Sequence, residues 1–221
     1  MAFYCVPERS KSALITVSAQ QDFLRPNSPI KACGAVSAKP ALHRLVTGVR
    51  HQNVPILHAV RLYRPDGSNV DVCRRQAVEE GLRVLMPGSL GAELLDELKP
   101  DPAIRLNPDP LLKGRFQDLG PHEWAFYRPR WGAFHATDLE QYLRDLGVTT
   151  LILCGLSFTT GVRATVFEAS ARDFRVVVVP DALANSTEEG VRELGRLGVY
   201  LMTSDNCLSW LAGRNGGIEA A

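Results

Sequence analysis

Residues 149–184, TTLILCGLSFTTGVRATVFEASARDFRVVVVPDALA, contain the alternation that decides the fold. Two short apolar runs, 149–154 and 175–179, have the length and β-branched content of strands. Both runs are apolar throughout, as strands are when helices cover both faces of a sheet. The residues between them leave room for a turn and a helix, so the segment predicts a right-handed strand–helix–strand unit.

The same alternation extends in both directions along the chain. Apolar residues recur at helical spacing in 42–49 and again in 139–146. Four further apolar runs are predicted strands: 13–17, 54–60, 124–127 and 199–202. We therefore predict a three-layer α/β/α fold with a six-stranded, mostly parallel sheet, in a single domain over residues 1–221.

One stretch, 63 to about 120, interrupts this alternation. It contains six prolines, and its spacing predicts one short helix around 91–98. We interpret it as a long excursion between strands and not as a separate domain. Elsewhere, Thr137 with Glu140 and Ser186 with Glu189 have the spacing of capping boxes, which predicts two helix starts.

The composition argues against several classes of function. The chain of 221 residues has 25 Lys and Arg against 24 Asp and Glu, a net charge of +1. We therefore expect neither nucleic acid nor a membrane surface as a partner. Its five cysteines are scattered without a C-x-x-C pair, which predicts neither a disulfide framework nor a zinc site. With no signal peptide evident, we expect a cytoplasmic protein.

The strand ends indicate where a ligand would bind. In a parallel sheet, ligands lie beyond the carboxyl ends of the strands, close to helix N-termini. The segments to inspect are therefore those that follow four of the predicted strands: 18–23, 61–64, 128–131 and 155–162.

Four of the chain's segments resemble those of a known family. They are ALITVSAQQDFL (13–24), RPRWGAFHATDLEQYL (128–143), LCGLSFTTGVRAT (153–165) and VVVVPDALA (176–184). In this order and spacing, from about 12 to 204, the chain resembles the isochorismatase-like cysteine hydrolases, which include nicotinamidases, carbamoyl-amide hydrolases and isochorismatases. The resemblance implies a small-molecule metabolite as substrate and a homodimer or higher homo-oligomer.

The resemblance also locates three catalytic positions, and all three are substituted. The family's Asp, within a D-x-Q-x-D-F pattern, corresponds to Ser18, although Gln20, Asp22 and Phe23 keep the pattern. The family's Lys corresponds to Arg128, and its nucleophilic Cys to Gly161. The chain therefore departs from the family at the positions that the resemblance marks as catalytic.

The substitutions remove both reaction strategies that the resemblance implies. Amide hydrolysis in the family needs a thiolate, and Gly161 has no side chain. Isochorismatases also carry Gly at this position and protonate a vinyl ether from the Asp, but the hydroxyl of Ser18 is a poor proton donor at neutral pH. The resemblance further implies an oxyanion hole formed by the backbone N–H groups of Ser157 and Gly161, with a cis peptide before Ser157.

We hypothesise that the site has become an anion-binding pocket. Arg128 offers a two-pronged donor to a carboxylate or phosphate, and Arg61 could add a second positive charge. Asp22 is either a replacement acid or a loop residue that caps or pairs with a cation. Four aromatic residues either line a pocket or belong to the core: Phe23, Tyr63, Trp131 and Phe158.

Three functions remain open from the sequence, and we favour the first. The first is an enzyme, a hydrolase, lyase or isomerase, that acts on a small anionic or carbonyl-bearing metabolite without a cysteine nucleophile. The second is a catalytically inactive module that binds a metabolite or a protein, and the third is a structural subunit paired with an active homologue. We expect no cofactor and no metal, because neither His58 nor His135 has a partner at ligand spacing.

Overall fold

A seven-stranded sheet forms the centre of this computed structural model, which describes residues 3–214. The strands lie in the order β3-β4-β2-β1-β5-β6-β7, and every neighbouring pair is parallel except β3 with β4. Their bounds are β1 Ser12–Val17, β2 Ile56–Val60, β3 Gln117–Gly120, β4 Glu123–Tyr127, β5 Thr150–Gly155, β6 Arg175–Leu183 and β7 Tyr200–Leu201.

Helices cover both faces of the sheet. Helices α1 and α7 pack on one face, whereas α4, α5 and α6 pack on the other. A π-helical turn, Phe158–Val162, leads directly into α5. The helix bounds are α1 Ala35–His51, α2 Val72–Glu79, α3 Pro108–Leu112, α4 Leu139–Asp145, α5 Arg163–Ser170, α6 Glu188–Gly195 and α7 Ser204–Leu211.

The apolar strands divide their side chains between two cores, as the sequence pattern predicts. Leu14 of β1 packs with α1 and α7, whereas Ile15 and Val17 pack with α4, α5 and α6. All residues of β1, β2 and β5 are buried. The predicted α/β fold with a mostly parallel sheet is therefore confirmed. In the part of the chain that the structure describes, no helix is long and apolar enough to cross a membrane.

The strand count differs from the prediction by one. The six predicted strands are present with shifted ends, and the seventh is β3 at the edge of the sheet. Only Leu119 of β3 is buried, so this strand has no apolar run by which it could be recognised.

Local capping also differs from the prediction. Thr187, not Ser186, caps α6, and its Oγ1 accepts a hydrogen bond of 3.1 Å from the Gly190 N–H. Asp138 is the residue before α4, and Thr137 instead donates its hydroxyl to the Ala133 carbonyl at 2.7 Å. The helix predicted around 91–98 is replaced by two short 3₁₀ turns, Leu90–Ala92 and Asp96–Leu98.

A buried polar network ties the sheet to α1 near the start of β4. His58 Nδ1 lies 2.7 Å from Thr16 Oγ1, and its Nε2 lies 2.9 Å from Glu123 Oε1. The Glu123 carboxylate also accepts hydrogen bonds of 2.7 and 2.8 Å from the Arg50 guanidinium. Burial alone would raise the pKa of the Glu123 carboxyl, but the hydrogen bonds from Arg50 and His58 prevail and lower it to about 2.

We expect this network to make the fold sensitive to acid. Because the pKa of Glu123 lies below its ordinary value of 4.5, its stabilising effect is complete above that pH and is lost as the pH falls towards 2. Glu123→Gln leaves Arg50 without its buried counter-ion and should lower the free energy of unfolding at pH 7 by about 3–5 kcal/mol. Urea unfolding at several pH values measures both effects.

Glu140→Gln provides the matched control for this prediction. Glu140 is half exposed and pairs with Arg144 and Arg172 on the surface. Its substitution should change the free energy of unfolding by less than about 1 kcal/mol. Equal losses in the two variants would contradict the special role of Glu123.

Candidate active site

Four parallel strands end at one edge of the sheet, where the segments that follow them converge. The Ser18 N–H donates to the Ala59 carbonyl at 3.1 Å, and the Arg128 N–H donates to the Val60 carbonyl at 3.0 Å. The Leu156 N–H, just after β5, donates to the Val17 carbonyl at 3.1 Å. These bonds extend the sheet by one residue and bring together the segments after β1, β2, β4 and β5.

Arg128 is the central side chain at these carboxyl ends of the strands. Its Nη2 donates to Ser18 Oγ, while its Nη1 donates to the carbonyls of Arg130 at 2.8 Å and Trp131 at 2.7 Å. Both Arg128 and Ser18 are buried. Ser18 has a φ of 56°, in the left-handed region that residues other than glycine rarely adopt. The backbone is therefore held in an unusual conformation where the Ser18 hydroxyl meets the guanidinium.

Gly161 gives the guanidinium its space. A Cβ atom at this position would lie 3.1 Å from Arg128 Nη2 and 2.7 Å from Val17 Cγ1. Thr165 holds the backbone here, since its Oγ1 donates to the Gly161 carbonyl at 2.7 Å. The Arg128 side chain therefore lies against the volume that a cysteine at position 161 would occupy.

The Arg128 guanidinium has hydrogen-bond donors to spare. Of its five N–H groups, three are used by Ser18, Arg130 and Trp131. Its Nε is buried and has no hydrogen-bond partner. No ion pair with Arg128 is formed within residues 3–214. Burial and the positive charge of Arg61 lower the pKa of Arg128 to about 9, so the group remains a cation at neutral pH.

Arg61 lies beside Arg128, but its charge is already neutralised. Its Nη2 is 2.5 Å from Asp71 Oδ2, and its Nη1 donates to the Arg128 carbonyl at 3.3 Å. The Tyr63 hydroxyl donates to the same Asp71 oxygen at 3.0 Å. Sequence reasoning missed Asp71, because it lies in the irregular excursion and no motif marks it.

Gln20 holds the backbone of Arg61. Its Oε1 accepts the Arg61 N–H at 2.8 Å, while its Nε2 donates to the carbonyls of Arg61 at 2.9 Å and Ala92 at 2.6 Å. The preserved glutamine of the motif thus joins the end of β1 to the end of β2 and to the excursion.

Asp22 directs its carboxylate towards the excursion. Its Oδ2 accepts a hydrogen bond of 2.7 Å from the Leu85 N–H. The carboxylate lies against Gly91, where an added Cβ would be only 2.2 Å from Oδ2. The observed hydrogen bond of Asp22 is therefore made to the backbone of the excursion and not to Ser18 or Arg128.

The four aromatic candidates are divided between core and surface. Phe23 and Tyr63 are buried in the core beside α1, and Phe158 is buried in the core beside α5. Trp131 is 43% exposed and lines a surface cavity. The sequence-predicted aromatic set therefore does not form one pocket wall.

The turn after β5 contains Ser157 and differs from what the resemblance implies in its peptide-bond conformation. Ser157 Oγ lies 2.9 Å from Thr160 Oγ1. Every peptide bond in residues 3–214 is trans, so the cis peptide bond that the resemblance implies before Ser157 is not found in this structure.

Within residues 3–214, no three His, Cys, Asp or Glu side chains come together as metal ligands would.

We expect a cysteine at position 161 to destabilise the protein. Gly161→Cys should lower the free energy of unfolding by about 1–3 kcal/mol, because the added side chain meets Val17 and Arg128. Adding Arg128→Lys removes one of these contacts, so the double variant should lose less stability than the sum of the two single variants. Urea unfolding of the four proteins measures this coupling.

Thr159→Cys is the control, since Thr159 is an exposed residue of the same π-helical turn. Its effect should stay within about 0.5 kcal/mol. Additive losses for Gly161→Cys and Arg128→Lys would contradict the packing of the guanidinium against position 161.

Comparison with known proteins agrees with this fold. A family model of the isochorismatase domain matches residues 12–204. The chain is 28% identical to a probable inactive nicotinamidase of Arabidopsis thaliana, over 80% of this chain and 83% of that protein. It is 31% identical to the phenazine biosynthesis protein PhzD1 of Pseudomonas aeruginosa, over 55% of this chain and 61% of that protein.

A solved structure extends the comparison to the whole fold. The isochorismatase family protein from Desulfovibrio vulgaris superposes with a TM-score of 0.77 and 28% identity, covering 91% of this chain and 98% of that one. The family model, the relatives and the superposition all lead to one assignment. The chain belongs to the isochorismatase family.

Proposed function

We propose that this isochorismatase-family protein binds a small anion, a carboxylate or a phosphate, through Arg128, and does not cleave it by the family's thiol or acid routes. One observation carries the proposal: the buried guanidinium of Arg128 has an Nε without a hydrogen-bond partner, and within residues 3–214 it forms no ion pair. A buried cation without a counter-ion is costly, and a bound anion would offset that cost.

The number of free donors matches the two oxygens of a carboxylate or phosphate. The Nε–H and the second hydrogen of Nη2 are the donors of Arg128 that the protein leaves unused. Two parallel N–H donors of one guanidinium can bind the two oxygens of a carboxylate at once. Because the carbonyls of Arg130 and Trp131 and the Ser18 hydroxyl fix the group, little side-chain entropy would be lost on binding.

The same residues argue against turnover. Gly161 offers no nucleophile, and the Ser18 hydroxyl already accepts a hydrogen bond from Arg128. Cys154 does not replace the missing thiol, because it is fully buried and burial raises the pKa of its thiol. One relative is itself described as a probable inactive nicotinamidase, which supports this proposal. From the family resemblance we further propose a homodimer or larger homo-oligomer, and from the scattered cysteines a cytoplasmic location.

Binding of acetate and of inorganic phosphate tests the proposal. By isothermal titration calorimetry, the wild type should bind at least one of them saturably, and Arg128→Met should lose that binding. Arg128→Lys keeps a charge but not the two-pronged geometry, so its affinity should fall about tenfold or more. Arg105→Met, at an exposed arginine that also donates to carbonyls, should bind as the wild type does.

Turnover assays on amide, carbamoyl and vinyl-ether substrates provide the second test. The wild type should be inactive, whereas Ser18→Asp/Arg128→Lys/Gly161→Cys should gain amide hydrolysis if it folds. Wild-type turnover that Arg128→Met abolishes would contradict the proposal and make the protein an enzyme with a thiol-independent mechanism.

A further inference from the structure

A cavity of about 470 Å³ opens beside the buried arginines, and Ser18, Arg128 and Gly161 are not among its lining residues. It lies between the start of α2, the segment after β4 and one side of α5. Its size is within the range of small-molecule sites. The residues that matter to the argument are Asp71, Val72, Arg130, Trp131, Ala164 and Glu168.

Three of these residues give the cavity apolar walls. Trp131 is 43% exposed and Val72 is 82% exposed, so both present apolar surface to solvent. Ala164, which is half-buried, contributes a small side chain from α5. An apolar group that enters the cavity would remove this surface from water, which favours binding.

Arg130 supplies a cation that is held in place. Its Nη1 donates to the carbonyls of Pro129 at 2.7 Å and Asn69 at 3.3 Å, which anchors one end of the guanidinium. Within the described part of the chain, Arg130 forms no ion pair. Its charge is therefore available to a ligand in the cavity, on a group that is already oriented.

The two carboxylates of the wall are engaged by the protein. Asp71 is bound by Arg61 and by the Tyr63 hydroxyl. Glu168 accepts the Phe134 N–H at 2.8 Å and lies against Gly132.

Arg130 is the cation in the wall of the cavity. Arg128 lies just behind the wall, since its Nη1 donates to the Trp131 carbonyl at 2.7 Å. Because Arg61 already pairs with Asp71, the charge that a ligand would meet is that of Arg130, with or without Arg128.

We infer that this cavity is a binding site for a small carboxylate with an apolar body. The carboxylate binds to Arg130, and the apolar body lies against Trp131, Val72 and Ala164. This site is separate from the anion site proposed at Arg128, so either one can exist without the other.

A series of straight-chain carboxylates, from butanoate to hexanoate, tests the inference by calorimetry. The titrations are made on wild type and on Arg128→Met, which removes the other proposed site. In both proteins the affinity should rise about fourfold for each added methylene, as apolar burial predicts. Hexanamide, which has the same body without the charge, should bind at least about tenfold more weakly than hexanoate.

Matched variants locate the binding. Arg130→Met should remove the preference for hexanoate over hexanamide, and Arg130→Lys should keep part of it. Ala164→Leu fills the cavity and should abolish the increase in affinity with chain length. Ala171→Leu, at an exposed alanine just after α5, should leave that increase unchanged. Affinities that do not depend on chain length, or that Ala164→Leu and Arg130→Met leave unchanged, would overturn the inference.

Discussion

The arrangement of this edge of the sheet depends on one buried cation, the guanidinium of Arg128. It is held by the Ser18 hydroxyl and by the carbonyls of Arg130 and Trp131, and it packs against the bare backbone of Gly161. Arg128 therefore contacts Ser18 directly and lies next to position 161. A side chain at position 161 would crowd the guanidinium, since an added Cβ would lie 3.1 Å from Arg128 Nη2.

A buried charged side chain lies at each end of strand β4. At its start, Glu123 completes a closed network in which His58 and Arg50 satisfy a buried carboxylate. Just beyond its end, Arg128 is a buried cation that the protein leaves partly unsatisfied. The closed network stabilises the fold, whereas the unsatisfied donors of Arg128 are those that we propose bind an anion.

Periodicity and apolar runs predict most of this fold, because strands covered on both faces must be apolar. Strand β3 is not predicted in this way, because Leu119 is the one buried residue among its four. Caps are misplaced by one residue, as with Ser186 and Thr187, because neighbouring hydroxyls are equally good candidates until the backbone is known. The family resemblance locates Ser18, Arg128 and Gly161, but no sequence pattern shows that Asp71 pairs with Arg61 while Arg128 forms no ion pair within residues 3–214. That difference arises from the path of the excursion, which periodicity does not predict.

The Arg128 Nε–H resonance, followed by ¹H–¹⁵N NMR during an acetate titration, shows whether Arg128 binds an anion. The signal is assigned by its loss in Arg128→Lys. An unpartnered buried Nε–H should exchange slowly with water and should shift saturably as the carboxylate accepts its hydrogen bond. A resonance that stays in place at saturating acetate, while those of other arginines shift, would contradict the account of Arg128 as an open anion site.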